Sequence, residues 1–232
     1  MGCSSKEGEF KMKLKHIVLL DVETRGYNKD VYDIAWCVAT KHGILNTHNY
    51  LVDEVFSMEP APFFNEPQQE AYSEIMKITF TLPWSMILMN LWNDIKDYGI
   101  NEIIAYNCNF DLTAINLTNN LIRGKDCKLF DNMQKTDLYT VFCNCMKSRK
   151  DYERFCRRNG YFTQKGFLKT SAEIAIKFIQ QNTEYIECHT ALNDVFDEFK
   201  IYQWILKSKK KRVMDSVKFP FRILEGNKRR KD

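Results

Sequence analysis

Short, continuous apolar runs alternate along the chain with longer stretches in which apolar residues recur every three or four positions. Ile17-Val18-Leu19-Leu20 is apolar throughout and ends at Asp21, which predicts a central strand covered on both faces. Val31 to Ala39 and Ile44 to Val52 follow, separated by the turn-like Lys41-His42-Gly43. Their short connection predicts antiparallel neighbours. Glu54 to Asn65 carries two of the five prolines and reads as a loop.

The spacing of Trp84, Ile87, Leu88, Leu91, Trp92, Ile95 and Tyr98 predicts a helix from about Pro83 to Tyr98, with Pro83 in its first turn and Gly99 at the C′ position. Its aromatic stripe reads as core packing. Glu102 to Tyr106 predicts a short strand, and Phe110, Ala114, Leu117 and Leu121 mark a helix that begins near Asn109. A weaker strand falls near Met133 to Thr136, followed by helical sequence through Met146 and a charged segment to Arg158. Thr170-x-x-Glu173 reads as a capping box, and Leu192, Val195, Phe196, Phe199, Tyr202 and Leu206 define a last amphipathic helix. There is no internal repeat. A mixed sheet flanked by helices, an α/β fold, accommodates this order.

Composition narrows the class. With 232 residues, 44% apolar and 28% charged, the chain suits one large α/β domain, and collagen-like, low-complexity and wholly disordered readings are excluded. No apolar run approaches the roughly 18 residues of a membrane span. Met1 to Phe10 is polar and Ile17 to Leu20 is too short for a secretory h-region, so we expect a soluble, cytoplasmic protein without a membrane partner. The eight cysteines then read as reduced thiols. Cys143-x-Cys145 with Cys127 and Cys156 lacks the paired C-x2-C spacing of a zinc site, and buried free thiols are the better reading. Met1-Gly2-Cys3-Ser4-Ser5-Lys6 resembles a myristoylation signal but has Lys6 where Ser or Thr belongs.

The net charge of +4 is unevenly distributed. Lys207 to Asp232 holds 11 Lys/Arg against 3 Asp/Glu, so the rest of the chain is mildly acidic. A basic tail beside an acidic body fits a polyanionic partner, or a tail that serves only solubility. The expected organisation is an N-terminal extension (1–13), one domain (14–206) and the basic tail (207–232).

Four carboxylates and a histidine fall where predicted elements meet. Asp21 and Glu23 share one face at the carboxyl end of the first strand. Asp111 lies in the first turn of the helix that follows Asn107-Cys108-Asn109-Phe110, where a carboxylate also favourably meets the helix dipole. His189 precedes the last helix, Thr190 can cap it, and Asp194 sits just inside on the flank of its apolar face. Asp151-x-Glu153 is a second D-x-E whose charged setting marks it as a solvated pair. His16, His42 and His48 read as ordinary surface or edge residues.

Asp21-x-Glu23, Asn107-x-x-Phe110-Asp111 and His189-x-Ala191-x-x-Asp194 resemble the three motifs of the DEDDh 3′→5′ exonuclease superfamily, to which the proofreading epsilon subunit belongs. Thr24 and Gly26, Asp33-Ile34-Ala35 and Thr136-Asp137-Leu138 add to the likeness, which spans roughly residues 14 to 206. Arg25, Tyr27 and Tyr106 depart from residues common in the family. The resemblance implies a ribonuclease-H-like, five-stranded mixed sheet and hydrolysis of phosphodiester bonds from 3′ ends, DNA favoured over RNA, with release of nucleoside 5′-monophosphates. It further implies two Mg²⁺ or Mn²⁺ ions roughly 3.5–4 Å apart. By analogy, Asp21 bridges both ions, Glu23 and Asp194 hold the ion that carries the attacking water, Asp111 anchors the second and His189 is the general base. Thr24 and Asn107 contact the terminal nucleotide. The basic tail then binds the phosphate backbone of a single-stranded 3′ end or docks a polymerase or replication protein.

Overall fold

The computed structural model describes residues 15–25, 29–56, 70, 72–74, 79–124, 128–147 and 149–208. The expected extension, the basic tail beyond residue 208, most of the proline-containing loop, Gly26, Tyr27, Cys3 and Cys127 lie outside the described residues.

Strand β1 (Ile17–Arg25) sends alternate side chains into two different cores. Val18, Leu20 and Val22 join one, while Ile17 and Leu19 join the other, and Asp21 and Glu23 continue the second phase. β2 (Asp30–Ala39), buried at every position, pairs antiparallel with β1 on one side and with β3 (Ile44–Val52) on the other. α1 (Asp53–Phe56) follows β3 directly, so the segment expected to be loop from Glu54 begins as one helical turn. β4 (Phe80–Leu82) adds to the far edge of β3, parallel to it.

α2 (Trp84–Asp97) leads to β5 (Glu102–Ala105), which pairs parallel with β1, and α3 (Cys108–Arg123) leads to β6 (Gln134–Asp137), parallel to β5. α4 (Leu138–Met146), α5 (Lys150–Asn159), α6 (Ala172–Gln180) and α7 (Ala191–Lys207) complete the described chain. The sheet order is β4-β3-β2-β1-β5-β6, six strands in place of the expected five. β4 is only three residues long, too short to show a two-residue period, and its Phe80 is exposed, so no apolar alternation marks it.

The helices divide by face. α2 and α3 supply Trp84, Ile87, Leu91, Leu112 and Ile115 to the first core, and α4, α6 and α7 supply Phe142, Ile176, Val195 and Ile201 to the second. α7 lies across β1 and β2. Trp92, on the stripe expected to be core, is partly exposed and stacks on Phe130 with ring centroids 5.4 Å apart. Among the described residues no helix is long and apolar enough to cross a membrane.

Several local expectations are corrected by side-chain geometry. The cap of α6 is Ser171, whose hydroxyl accepts from Ile174 N–H at 3.5 Å, while the Thr170 hydroxyl donates to Tyr139. Thr190 stands at the N-cap of α7 but makes no side-chain cap; its Oγ1 accepts from Asn193 instead. His48 is no ordinary edge residue. It stacks on Trp36 and meets Asp94 at 3.1 Å, and Asp94 also accepts from Trp36 Nε1 at 2.8 Å. Asp151 and Glu153 pair with Arg149 and Arg157, as expected of a solvated pair. Cys37, Cys108, Cys143, Cys145 and Cys156 are buried.

The β1–β2 register shifts between Glu23 and Thr24. At this irregularity Val31 N–H donates to Thr118 Oγ1 of α3 at 2.8 Å, and the Thr118 hydroxyl donates onward to Ala114 O at 2.9 Å. Thr118→Val keeps the shape of this fully buried side chain and strands the Val31 donor. The expected loss is about 2 kcal/mol of unfolding free energy. Urea unfolding measures it, and a loss under about 0.5 kcal/mol would contradict the role assigned to Thr118.

Candidate active site

β5 pairs with β1 only at Val18 and Leu19 before it turns into α3. Beyond Leu19 the β5-side edge of β1 is therefore left open, and Asp21 and Glu23 stand beside it, at the carboxyl end of two parallel strands. Asp111 enters this gap from the first turn of α3, where its carboxylate accepts hydrogen bonds from Val22 N–H and from its own N–H. The turn into α3 is made by Asn107, which is left-handed (φ 75°), a conformation Asn tolerates better than most residues. Its N–H donates to Asp137 at 3.1 Å, and Asp137 also caps α4 through Tyr139 N–H at 3.0 Å.

From the opposite layer, α7 brings Asp194 to the same place. Its N-terminus is tied to the sheet by Asp33, a fully buried β2 carboxylate. Asp33 accepts from Ala191 N–H at 3.1 Å, Tyr72 Oη at 2.6 Å and Asn49 Nδ2 at 2.6 Å. His189 precedes this anchor in a left-handed conformation (φ 52°), its side chain half-exposed. Glu23, His189 and Asp194 each place a ligand atom within 4.8 Å of the others. Glu187 Oε2 lies 3.8 Å from His189 Nδ1.

The structure thus brings Asp21, Glu23, Asp111, Asp194 and His189 to one open edge. Thr24 follows Glu23 across the register shift, half-buried, and Asn107 is exposed at the mouth of the β5–α3 turn. Sequence reasoning missed Glu198, Glu187 and the anchoring role of Asp33. Glu198 had a visible signal, since it lies four residues after Asp194 on the face of α7 that buries Val195 and Phe199.

Electrostatics define the site. Burial raises Asp21 well above the ordinary carboxylate range, and the charges of Asp111, Asp194, Glu198 and Glu23 add to it. Burial pushes Asp194 up to about 9, helped by Glu187 and Glu23. Burial pushes Glu23 up to about 8, with Asp33, Glu187 and Asp111 adding to it while a hydrogen bond with Asp194 opposes. Burial likewise pushes Asp111 up to about 8 against its two backbone hydrogen bonds. Asp21 Oδ2, Asp111 Oδ2, Asp194 Oδ1 and Glu198 Oε2 are buried and make no hydrogen bond. Unpartnered anionic oxygens out of water are costly unless a cation meets them. An all-oxygen donor set without thiolates fits a hard divalent ion such as Mg²⁺ or Mn²⁺.

No protein-family model and no curated protein matches this chain. Among solved structures, the fold is similar to that of cell-death related nuclease 4, with a TM-score of 0.54 at 15% identity, over 85% of this chain and 65% of that one. It is also similar to a full-length 3′-exonuclease, with a TM-score of 0.54 at 13% identity, over 84% of this chain and 82% of that one. This chain therefore spans just under two thirds of the length of the first. The likeness establishes a ribonuclease-H-like α/β fold.

The raised carboxyls set a direction for stability against pH. In the unfolded chain these groups titrate near 4, whereas Glu23, Asp111 and Asp194 do so at about 8 to 9 in the metal-free fold. Between those limits the folded state holds protons that the unfolded state has released. Stability is therefore greatest at the acid end of that window and falls as pH rises toward about 9. The melting temperature in EDTA is expected to drop from about pH 6 to about pH 9, and Mn²⁺ to raise it by an increment that grows with pH. A Mn²⁺ increment independent of pH would count against this account of the pocket.

Proposed function

We propose that this chain is a metal-dependent 3′→5′ exonuclease that hydrolyses phosphodiester bonds from the 3′ end of nucleic acid and releases nucleoside 5′-monophosphates. The observation that carries the reading is the set of buried carboxylate oxygens without partners on Asp21, Asp111 and Asp194, beside a half-exposed histidine. Support also comes from the fold shared with a protein named as a nuclease and another named as a 3′-exonuclease.

In this reading Asp21, Glu23, Asp111 and Asp194 hold a pair of divalent ions. When bound, such a pair activates water, neutralises charge on the scissile phosphate and stabilises the leaving 3′ oxygen. His189 takes the proton of the attacking water, a task for which imidazole is suited near neutral pH. Its place in the loop before α7 leaves it at the surface, where a phosphodiester can reach it. In the same reading Asn107, exposed four residues before Asp111, and Thr24, beside Glu23, contact the terminal nucleotide. A bare binding module is disfavoured, because unneutralised carboxylates repel a phosphate backbone. Of the two nucleic acids, DNA is the favoured substrate.

The test is digestion of single-stranded oligonucleotides labelled at the 5′ end. Mg²⁺ is expected to give a ladder shortening from the 3′ end, and EDTA to stop it. Asp111→Asn should lower the rate by about a thousandfold or more, and His189→Ala by roughly a hundred- to ten-thousandfold. Matched DNA and RNA strands should be degraded with DNA the faster. Undiminished activity in Asp111→Asn would remove the site assignment, and release of the label in the first product would reverse the direction.

A further inference from the structure

Buried carboxylates in this fold have two kinds of surroundings. Asp33 has both oxygens occupied by donors, Glu102 is met by Lys15 and Thr136, and Asp197 by Tyr185 and Lys200. These carboxylates hold the structure together. Glu198 differs. It is 2% exposed, and its Oε1 accepts from Tyr106 N–H at 2.8 Å, yet its Oε2 is buried with no hydrogen bond. Among the described residues no Lys, Arg or His forms an ion pair with it.

Its position explains where Oε2 points. Tyr106 lies between β5 and α3, so the hydrogen bond from its N–H holds Glu198 against the turn that carries Asp111. Glu198 and Asp194 lie one helical turn apart on α7, on the face turned to β1 and β2. Asp111 and Asp194 are the two carboxylates whose charges Glu198 feels most, and Asp21 feels Glu198 in turn. Glu198 therefore forms the inner wall of the acidic pocket.

We infer that Glu198 is a further ligand of the divalent-ion site, offering Oε2 to the ion held by Asp111, an inference that rests on the metal-dependent reading above. Tyr106 N–H takes one carboxylate oxygen and thereby aims the other. A metal-ligating carboxylate is commonly hydrogen-bonded in this way, which fixes its orientation. The site then has five carboxylates, one more than the motif residues provide.

Glu198→Gln separates the ligand role from the structural one. Its amide carbonyl can still accept from Tyr106 N–H, while the buried negative charge is gone. In metal-free protein the variant should melt no lower than the wild type. Manganese binding followed by electron paramagnetic resonance should weaken by roughly 10–100-fold at one site. Unchanged manganese affinity in Glu198→Gln, alongside loss of binding in Asp111→Asn, would overturn the inference and leave the metal reading standing. No manganese binding by the wild type would overturn both. Crystals of the wild-type protein grown with Mn²⁺ decide the same point without a variant. An anomalous peak within about 2.5 Å of Glu198 Oε2 is expected, and peaks only beyond about 3.5 Å from it would refute the assignment.

Discussion

Desolvation of clustered carboxylates governs this molecule. Asp21, Glu23, Asp111, Asp194 and Glu198 converge where water is largely excluded; burial makes each harder to ionise, and the charges of neighbouring carboxylates add to it. Such a cluster opposes folding, so the scaffold must hold it by other means. Two apolar cores, one on each face of the sheet, supply the favourable term. Backbone donors then fix individual side chains: Val22 N–H holds Asp111, and Tyr106 N–H holds Glu198. In each case one part of the carboxylate is tied down and another oxygen is left without a partner.

The division into two cores is also what assembles the site. Asp111 comes from the layer formed by α2 and α3, Asp194 and Glu198 from the layer formed by α4, α6 and α7, and the two meet because β5 leaves β1 after Leu19. Had β5 continued alongside β1, the edge that receives Asp111 would have been closed by ladder hydrogen bonds. Asp33 completes the arrangement from below, since its bond to Ala191 N–H sets the start of α7 and with it the positions of His189 and Asp194. The left-handed backbone at His189 is unfavourable for a residue with a Cβ and persists because the adjoining helix is anchored.

Other reactive-looking groups are quiet by comparison. Burial pushes the thiols of Cys37, Cys108 and Cys143 up to about 12, which keeps them protonated and poor as metal ligands. Asp94 and His48 are occupied by each other and by Trp36, so they tie β2, β3 and α2 together. The contrast with the acidic pocket is one of satisfaction: these polar groups have partners within the chain, whereas Asp21, Asp111, Asp194 and Glu198 each keep one buried oxygen without a hydrogen bond.

Much of this was legible in the sequence. Apolar-rich runs located β1, β2 and β5, Pro83 and Gly99 bounded α2, and the D-x-E, N-x-x-F-D and H-x-A-x-x-D spacings placed four carboxylates and a histidine at element ends. Local patterns suffice there because alternation and helical period are properties of near neighbours. β4 escaped because three residues carry no period, and Ser171 rather than Thr170 caps α6 because capping depends on backbone angles that the two hydroxyls share in sequence but not in space. Glu198 shows the limit best. Its type and helical face could be read along α7, but whether its second oxygen has a partner depends on Tyr106, 92 residues away, and on the path β5 takes from β1. The chain's own pattern determined the elements and the acidic motifs they carry. Only tertiary structure decided which carboxylates are satisfied and which keep an oxygen without a partner, because desolvation and hydrogen-bond pairing are set by groups distant in sequence.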